Sequence, residues 1–217
     1  MNLAVVSVAD AVAAELRSRL LAGQYAGGQE LRDTELSEEF RVARPTVRAA
    51  VQTLVSDGLL ERGRGRSARV RFFTAADAVD LYRLRGAIEL VAVRLVIEDK
   101  RPLDRVDDAV AAFLALPDDE SWDRVANCDI AFHRAVIEAA GSPRILRTFD
   151  DVGAELRLMI AQLRPAYRGA NELAAEHATL LNLLRYGRLR PALAAWQDHL
   201  DSAETFFLDL IDERTND

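Results

Sequence analysis

Val42-Ala43-Arg44-Pro45-Thr46-Val47-Arg48 and, five residues further on, Leu54-Val55-Ser56-Asp57-Gly58-Leu59-Leu60 decide how the first third of this 217-residue chain is read. Pro45 suits the first turn of a helix, where its missing N–H has no intrahelical partner to lose. Val47, Val51, Leu54 and Val55 fall at i, i+4, i+7 and i+8, which puts them on one buried face. Gly58 follows as a C-terminal stop in the left-handed conformation. Arg44, Thr46, Arg48 and Ala49 lie off that stripe, at the helix's N-terminal end.

Working outward, Ser7 with Asp10 is a variant capping box opening a helix to about Ala22, with Val8, Val12, Leu16 and Leu20 at i+4 spacing. Gly23, Gly27 and Gly28 break it. Asp33 or Thr34 caps a short second helix carrying Leu36 and Phe40. Downstream, Glu61-Arg62-Gly63-Arg64-Gly65-Arg66 supplies a turn, and Ala68-Arg69-Val70-Arg71-Phe72 alternates apolar and basic residues as a strand does. Residues 1–73 therefore read as helix, short helix, helix and a two-stranded wing, a winged helix-turn-helix.

The charge supports a polyanion partner. The formal net charge is −7, yet residues 1–73 hold eleven Arg against nine acids, and residues 41–71 hold eight Arg against Asp57 and Glu61 alone. A basic patch on an acidic chain points to nucleic acid. A recognition helix reads base edges with its N-terminal residues, and arginine is the usual partner of guanine. Wing arginines reach phosphates or the minor groove.

Composition excludes other classes. Half the residues are apolar and 29% are charged, with 11 Gly and 6 Pro, so the chain is neither disordered nor fibrous. The single cysteine, Cys128, excludes an internal disulfide framework and fits a reducing compartment. No apolar run approaches a membrane span, and residues 1–21, interrupted by Asp10 and Glu15, do not read as a secretory signal. The expectation is a cytoplasmic, mainly α protein with no membrane partner.

Residues 74–217 carry no strand-like alternation. Thr74 with Asp77 starts a long helix to about Asp99, and Pro102, Asp118-Asp119, Gly141-Ser142-Pro143, Gly169 and Gly187 to Pro191 punctuate the rest into about six antiparallel helices. Phe72-Phe73 to Ala75 is the expected join. The three histidines of the chain all fall in this part. Asp129 and His133 are i and i+4 on one helix, on the face continued by Val136, Ile137 and Ala140. His177 shares a face with Leu180, Leu181 and Leu184, and His199 with Ala195, Trp196, Ala203 and Phe206. On spacing alone two readings stand: three separately satisfied core histidines, or a carboxylate and three imidazoles converging on a divalent cation.

The N-terminal motifs, with Glu35-Leu36-Ser37, resemble the DNA-binding domain of GntR-family bacterial regulators, whose usual string is V-S-R-x-x-V-R followed by a leucine-rich stretch and G-L. Asp129-Ile130-Ala131-Phe132-His133, Glu176-His177, His199-Leu200 and Tyr82-Arg83-Leu84-Arg85 with Glu89 resemble the FCD effector domain of that family's FadR subfamily. The resemblance implies operator contacts from Arg44, Thr46, Arg48, Arg64 and Gly65. It implies metal ligands at Asp129, His133, His177 and His199, and a small organic-acid effector near Arg85. It further implies a homodimer on palindromic double-stranded DNA, with residues 74–217 as an all-helical effector and dimerisation bundle. Ala43 replaces the usual Ser and Thr34 an Arg of some relatives, which bears on the operator sequence; Gly141-Ser142-Pro143 replaces G-N-P.

Three imidazoles and a carboxylate suit Zn²⁺ first, or Ni²⁺ or Mn²⁺, with positions left open for an anionic ligand. Two other functions share the same residues: a regulator for which the cation itself is the signal, and a metal-dependent hydrolase. The hydrolase lacks a recognisable general base, and Glu176 and Arg134 are expected instead to orient the ligands.

Overall fold

The computed structural model describes residues 7–62, 67–162 and 169–216. The chain divides into two compact units, Met1–Phe72 and Phe73–Asp217.

In the first unit α1 spans Val8–Leu21, β1 Glu30–Arg32, α2 Asp33–Glu39, α3 Arg44–Ser56, β2 Leu60–Arg62 and β3 Ser67–Val70. Ser7 and Asp10 form the capping box reciprocally: Asp10 N–H donates to Ser7 Oγ and Ser7 N–H to Asp10 Oδ2. Val12, Ala13, Leu16, Leu20 and Leu21 of α1 are buried, and α1 packs on α3. Val8, the first residue of the expected stripe, is exposed, because the buried row begins one turn later. On α3 the buried row is Val47, Ala50, Val51 and Leu54, while Val55 sits half-buried at its edge. Gly58 has φ +71°, the left-handed stop expected of it.

Two expectations are corrected here. The short second helix is capped by neither Asp33 nor Thr34: Arg32 holds the N-cap position with no side-chain bond, and Asp33 is already the first helical residue. Asp33 and Glu35 in the first turn still complement the helix dipole. The wing is also not two-stranded. β1 pairs antiparallel with β3, which pairs antiparallel with β2, giving a three-stranded sheet of order β1-β3-β2. Three residues with only Leu31 buried are too short to show alternation. In the sheet, Arg69 lies opposite Glu30 on one side and Glu61 on the other, a cross-strand charge match.

The second unit has six helices and no strand among the described residues: α4 (Ala75–Glu98), α5 (Asp104–Leu114), α6 (Trp122–Ala139), α7 (Pro143–Gln162), α8 (Ala170–Arg185) and α9 (Leu189–Asn216). Thr74 and Asp77 cap α4 as Ser7 and Asp10 cap α1. The longest helices, α4 and α9, pack on one another; α6 packs on α4, α5 and α7, and α8 on α5 and α9. Phe113, Phe132, Phe149, Trp196 and Phe207 are fully buried. The buried row of α9 is Ala192, Trp196, Leu200, Phe207 and Leu210. His199 therefore sits on the flank of that row, where α9 opens toward α8. Among the described residues no helix is long and apolar enough to cross a membrane.

Candidate metal centre and nucleic-acid interface

Because α3 commits Val47, Ala50, Val51 and Leu54 to the core, its other face must be presented outward. Arg44 and Arg48 are exposed there, one turn apart, with Thr46 half-buried between them. They line a hollow of about 250 Å³ with Glu30, Arg32, Asp33, Thr34 and Ser67. Arg32, on the strand unseen in the sequence, adds a third exposed guanidinium to this rim. Arg64 and Gly65 of the expected wing contact lie outside the described residues.

In the helical unit, α6 carries Asp129 and His133 one turn apart, α8 carries His177 and α9 carries His199. One ligand atom from each of the four lies within 4.8 Å of all the others. His177 Nε2 is 3.0 Å from Asp129 Oδ1 and 3.3 Å from His133 Nε2, and His199 Nε2 is 3.4 Å from His133 Nε2. His133 and His177 are wholly buried.

The opposite edge of each ring is held by a different group. His177 Nδ1 donates to the Leu173 carbonyl at 2.7 Å. His133 Nδ1 stands 2.7 Å from Glu89 Oε2, off the line of a well-aligned hydrogen bond, and His199 Nδ1 stands 3.5 Å from Glu176 Oε2. A carbonyl can only accept, so His177 carries its proton on Nδ1, and in the neutral ring Nε2 is a bare lone pair. The carboxylates beside His133 and His199 select the same tautomer. Burial drives His133 down to about 4 and His199 also down, so both rings are neutral near pH 7. Burial alone would raise Asp129, but His133, His177 and Arg85 outweigh it and hold the carboxyl below its ordinary range.

With the three rings neutral and protonated on Nδ1, three Nε2 lone pairs and a carboxylate oxygen face one point. Asp129 Oδ2 is buried and also lacks a hydrogen bond among the described residues. Such a donor set fits a divalent cation.

Arg85 is 2% exposed and its Nε donates to Glu89 Oε1 at 2.7 Å. Its Nη2 and the nearby Tyr82 Oη are buried without a hydrogen bond among the described residues. Trp196 Nε1 donates to Glu89 Oε2 at 2.8 Å. Burial would raise Glu89, but Arg85, then His133 and Trp196, hold it ionised well below the usual carboxylate range. Glu89 and Trp196 are the groups that spacing did not single out for the centre. Their polar atoms meet only once α4, α6 and α9 are packed. Arg134, expected beside the ligands, instead pairs on the surface with Asp150 at 2.7 Å and with Glu138. Access to His199 is through a groove of about 490 Å³ between α8 and α9, which Glu176, Asp198, Ser202 and Phe206 also line.

Two family models match this chain: "Bacterial regulatory proteins, gntR family" over residues 8–70 and "FCD domain" over residues 80–202. The chain belongs to the FCD-containing, FadR-type branch of the GntR family. A solved structure, described as a putative transcriptional regulator GntR from Rhodococcus sp. RHA1, superposes with TM-score 0.78 at 27% identity, covering 93% of this chain and 97% of that one. The chain is 26% identical over 168 residues to the probable D-xylose utilization operon transcriptional repressor of Paenarthrobacter nicotinovorans, covering 76% of this chain and 73% of that protein. It is 31% identical over 85 residues to the uncharacterized HTH-type transcriptional regulator YdhC of Bacillus subtilis, which covers 39% of this chain and 38% of YdhC. GntR-family proteins are transcriptional regulators and not enzymes, which sets the hydrolase aside. The helix-turn-helix of the family implies DNA as a partner, and its FCD domain a small-molecule effector.

Proposed function

We propose that this protein is a cytoplasmic, homodimeric transcriptional repressor whose operator binding is modulated by a small carboxylate at a divalent-metal centre in the helical unit. The observation that carries the reading is the convergence of Asp129, His133, His177 and His199, with one ligand atom from each within 4.8 Å of all the others. A divalent cation there, Zn²⁺ first and Ni²⁺ or Mn²⁺ next, would supply a Lewis-acidic position for a carboxylate oxygen. The chain's own residues do the rest. Leu173 O, Glu89 and Glu176 fix the three rings with Nε2 inward. The groove beside His199 gives an anion a way to the ligand set, and Arg85, which does not line that groove, offers its buried Nη2 as the second contact.

On the DNA side, Arg44, Thr46 and Arg48 read base edges, with Arg64 and Gly65 of the wing on the backbone. The effector regulates only if it binds the DNA-competent and incompetent arrangements with different affinity, a coupling that usually amounts to about 5–150-fold.

The test is a DNA-binding titration on operator fragments selected from random duplexes, using chelated and Zn²⁺-loaded protein, with panels of small organic acids and neutral sugars. The sugars matter because the Paenarthrobacter relative is named for a neutral sugar. A shift of operator affinity by an acid, seen only in loaded protein, is the expected result. A response to metal alone would make the cation the signal. A response to neutral sugar with chelated protein would remove the centre from the mechanism.

A further inference from the structure

Glu89 is a buried carboxylate where α4, α6 and α9 meet. It is 1% exposed and its two oxygens serve three partners on three helices. Oε1 takes Arg85 Nε on its own helix α4; Oε2 takes Trp196 Nε1 from α9 and faces His133 Nδ1 on α6. A buried carboxylate with only a stabilising role would be satisfied by the arginine and the indole. The third contact is to the back of an imidazole whose front faces the converging ligands.

We infer that Glu89 is the positioning residue of the metal centre: it orients His133, raises the donor strength of its Nε2, and sets the charge with which the buried site meets a cation. The inference rests on the metal reading above. Its physical basis is the general behaviour of ligating histidines, which give their far N–H to a carboxylate or carbonyl and lose affinity when that partner goes. The charges add a second component. Arg85, Glu89 and Asp129 together leave the site with one net negative charge. Neutralising Glu89 leaves it neutral, and removing Arg85 leaves it at minus two. The two changes must therefore move cation affinity in opposite directions, although each breaks the same ion pair. General damage to the core would weaken both variants alike.

The experiment is a competition titration with Zn²⁺ against a chromophoric chelator on full-length protein, with Co²⁺ absorption spectra as a second readout. The variants are Glu89→Gln, Arg85→Met and the double variant, each checked for native circular dichroism. Glu89→Gln should weaken Zn²⁺ by about 10–100-fold and change the Co²⁺ ligand-field bands. Arg85→Met should bind Zn²⁺ at least as tightly as the wild type. The double variant, which buries no unpaired charge from this pair, folds even where one single variant does not. It should bind more weakly than Arg85→Met by a similar 10–100-fold factor.

Unchanged Zn²⁺ affinity and Co²⁺ spectra in a folded Glu89→Gln overturn the inference while leaving the metal centre in place. So does a loss in Arg85→Met equal to that in Glu89→Gln. Failure of the folded wild type to take up Zn²⁺, Ni²⁺ or Mn²⁺ overturns the metal reading itself, and this inference with it.

Discussion

His133 and His177 meet Nε2 to Nε2 at 3.3 Å, while the Leu173 carbonyl lies 2.7 Å from His177 Nδ1 and Glu89 Oε2 lies 2.7 Å from His133 Nδ1, both placed to take the ring proton on that side. Two lone pairs at that distance repel unless something positive stands between them. Elemental analysis of protein purified without chelator should therefore find close to one divalent metal per chain. His133→Ala should lose it and melt several degrees lower, because a buried carboxylate and two imidazoles are left undersatisfied at a cost of about 1–3 kcal/mol each. Adding chelator should lower the melting temperature of the wild type and leave that of His133→Ala unchanged. A folded wild type that cannot be loaded with Zn²⁺, Ni²⁺ or Mn²⁺ rules the centre out.

The exposed face of α3 gives a second expectation. Arg48→Ala should remove a directional contact worth ~1–3 kcal/mol and relax base preference at one operator position. Arg64→Ala should weaken binding evenly across sequences and flatten its salt dependence, as loss of a phosphate contact does. Anisotropy titrations at several salt concentrations check both. Wild-type affinity in both variants at matched salt would mean the recognition surface lies elsewhere.

Presenting that face depends on burying the opposite one. Leu54 is fully buried on α3 beneath the α1–α3 contact. Leu54→Ala should cost about 2–5 kcal/mol and weaken DNA binding through loss of folded protein. Denaturant titration followed by circular dichroism gives the cost. An effect under 1 kcal/mol would mean that Leu54 is not part of the core.

Periodicity carried the helices well, because apolar spacing and capping pairs such as Ser7–Asp10 and Thr74–Asp77 are local signals. It missed β1, since a three-residue strand with one buried side chain has no period to detect. The four ligands were legible because Asp129 and His133 share a helix face and His177 and His199 lie among apolar neighbours. The Glu89–Trp196 contact was not, because it joins residues 107 positions apart and exists only in the packed bundle. Arg134 misled for a related reason: it follows His133 in sequence but points from the other side of α6, to Asp150 of α7.

Arg85 gives the last expectation, and two roles for it diverge on substitution. Its Nε is committed to Glu89, while Nη2 is a buried donor with no hydrogen bond among the described residues. If that arm holds a carboxylate, Arg85→Met should keep its metal and its DNA binding yet lose the response to organic acid. If Arg85 only braces α4 through Glu89, the response should survive. Stability does not separate the two roles, because either way the substitution strands the buried Glu89 charge, at about 3–5 kcal/mol. The discriminating measurement is operator affinity of metal-loaded wild type and variant, with an active acid and with its neutral amide. An arginine-held carboxylate predicts that the wild type answers the acid and ignores the amide, since a guanidinium fork gains most from an ionised acceptor. Equal responses to acid and amide in the wild type would exclude this pocket chemistry, even with the metal in place.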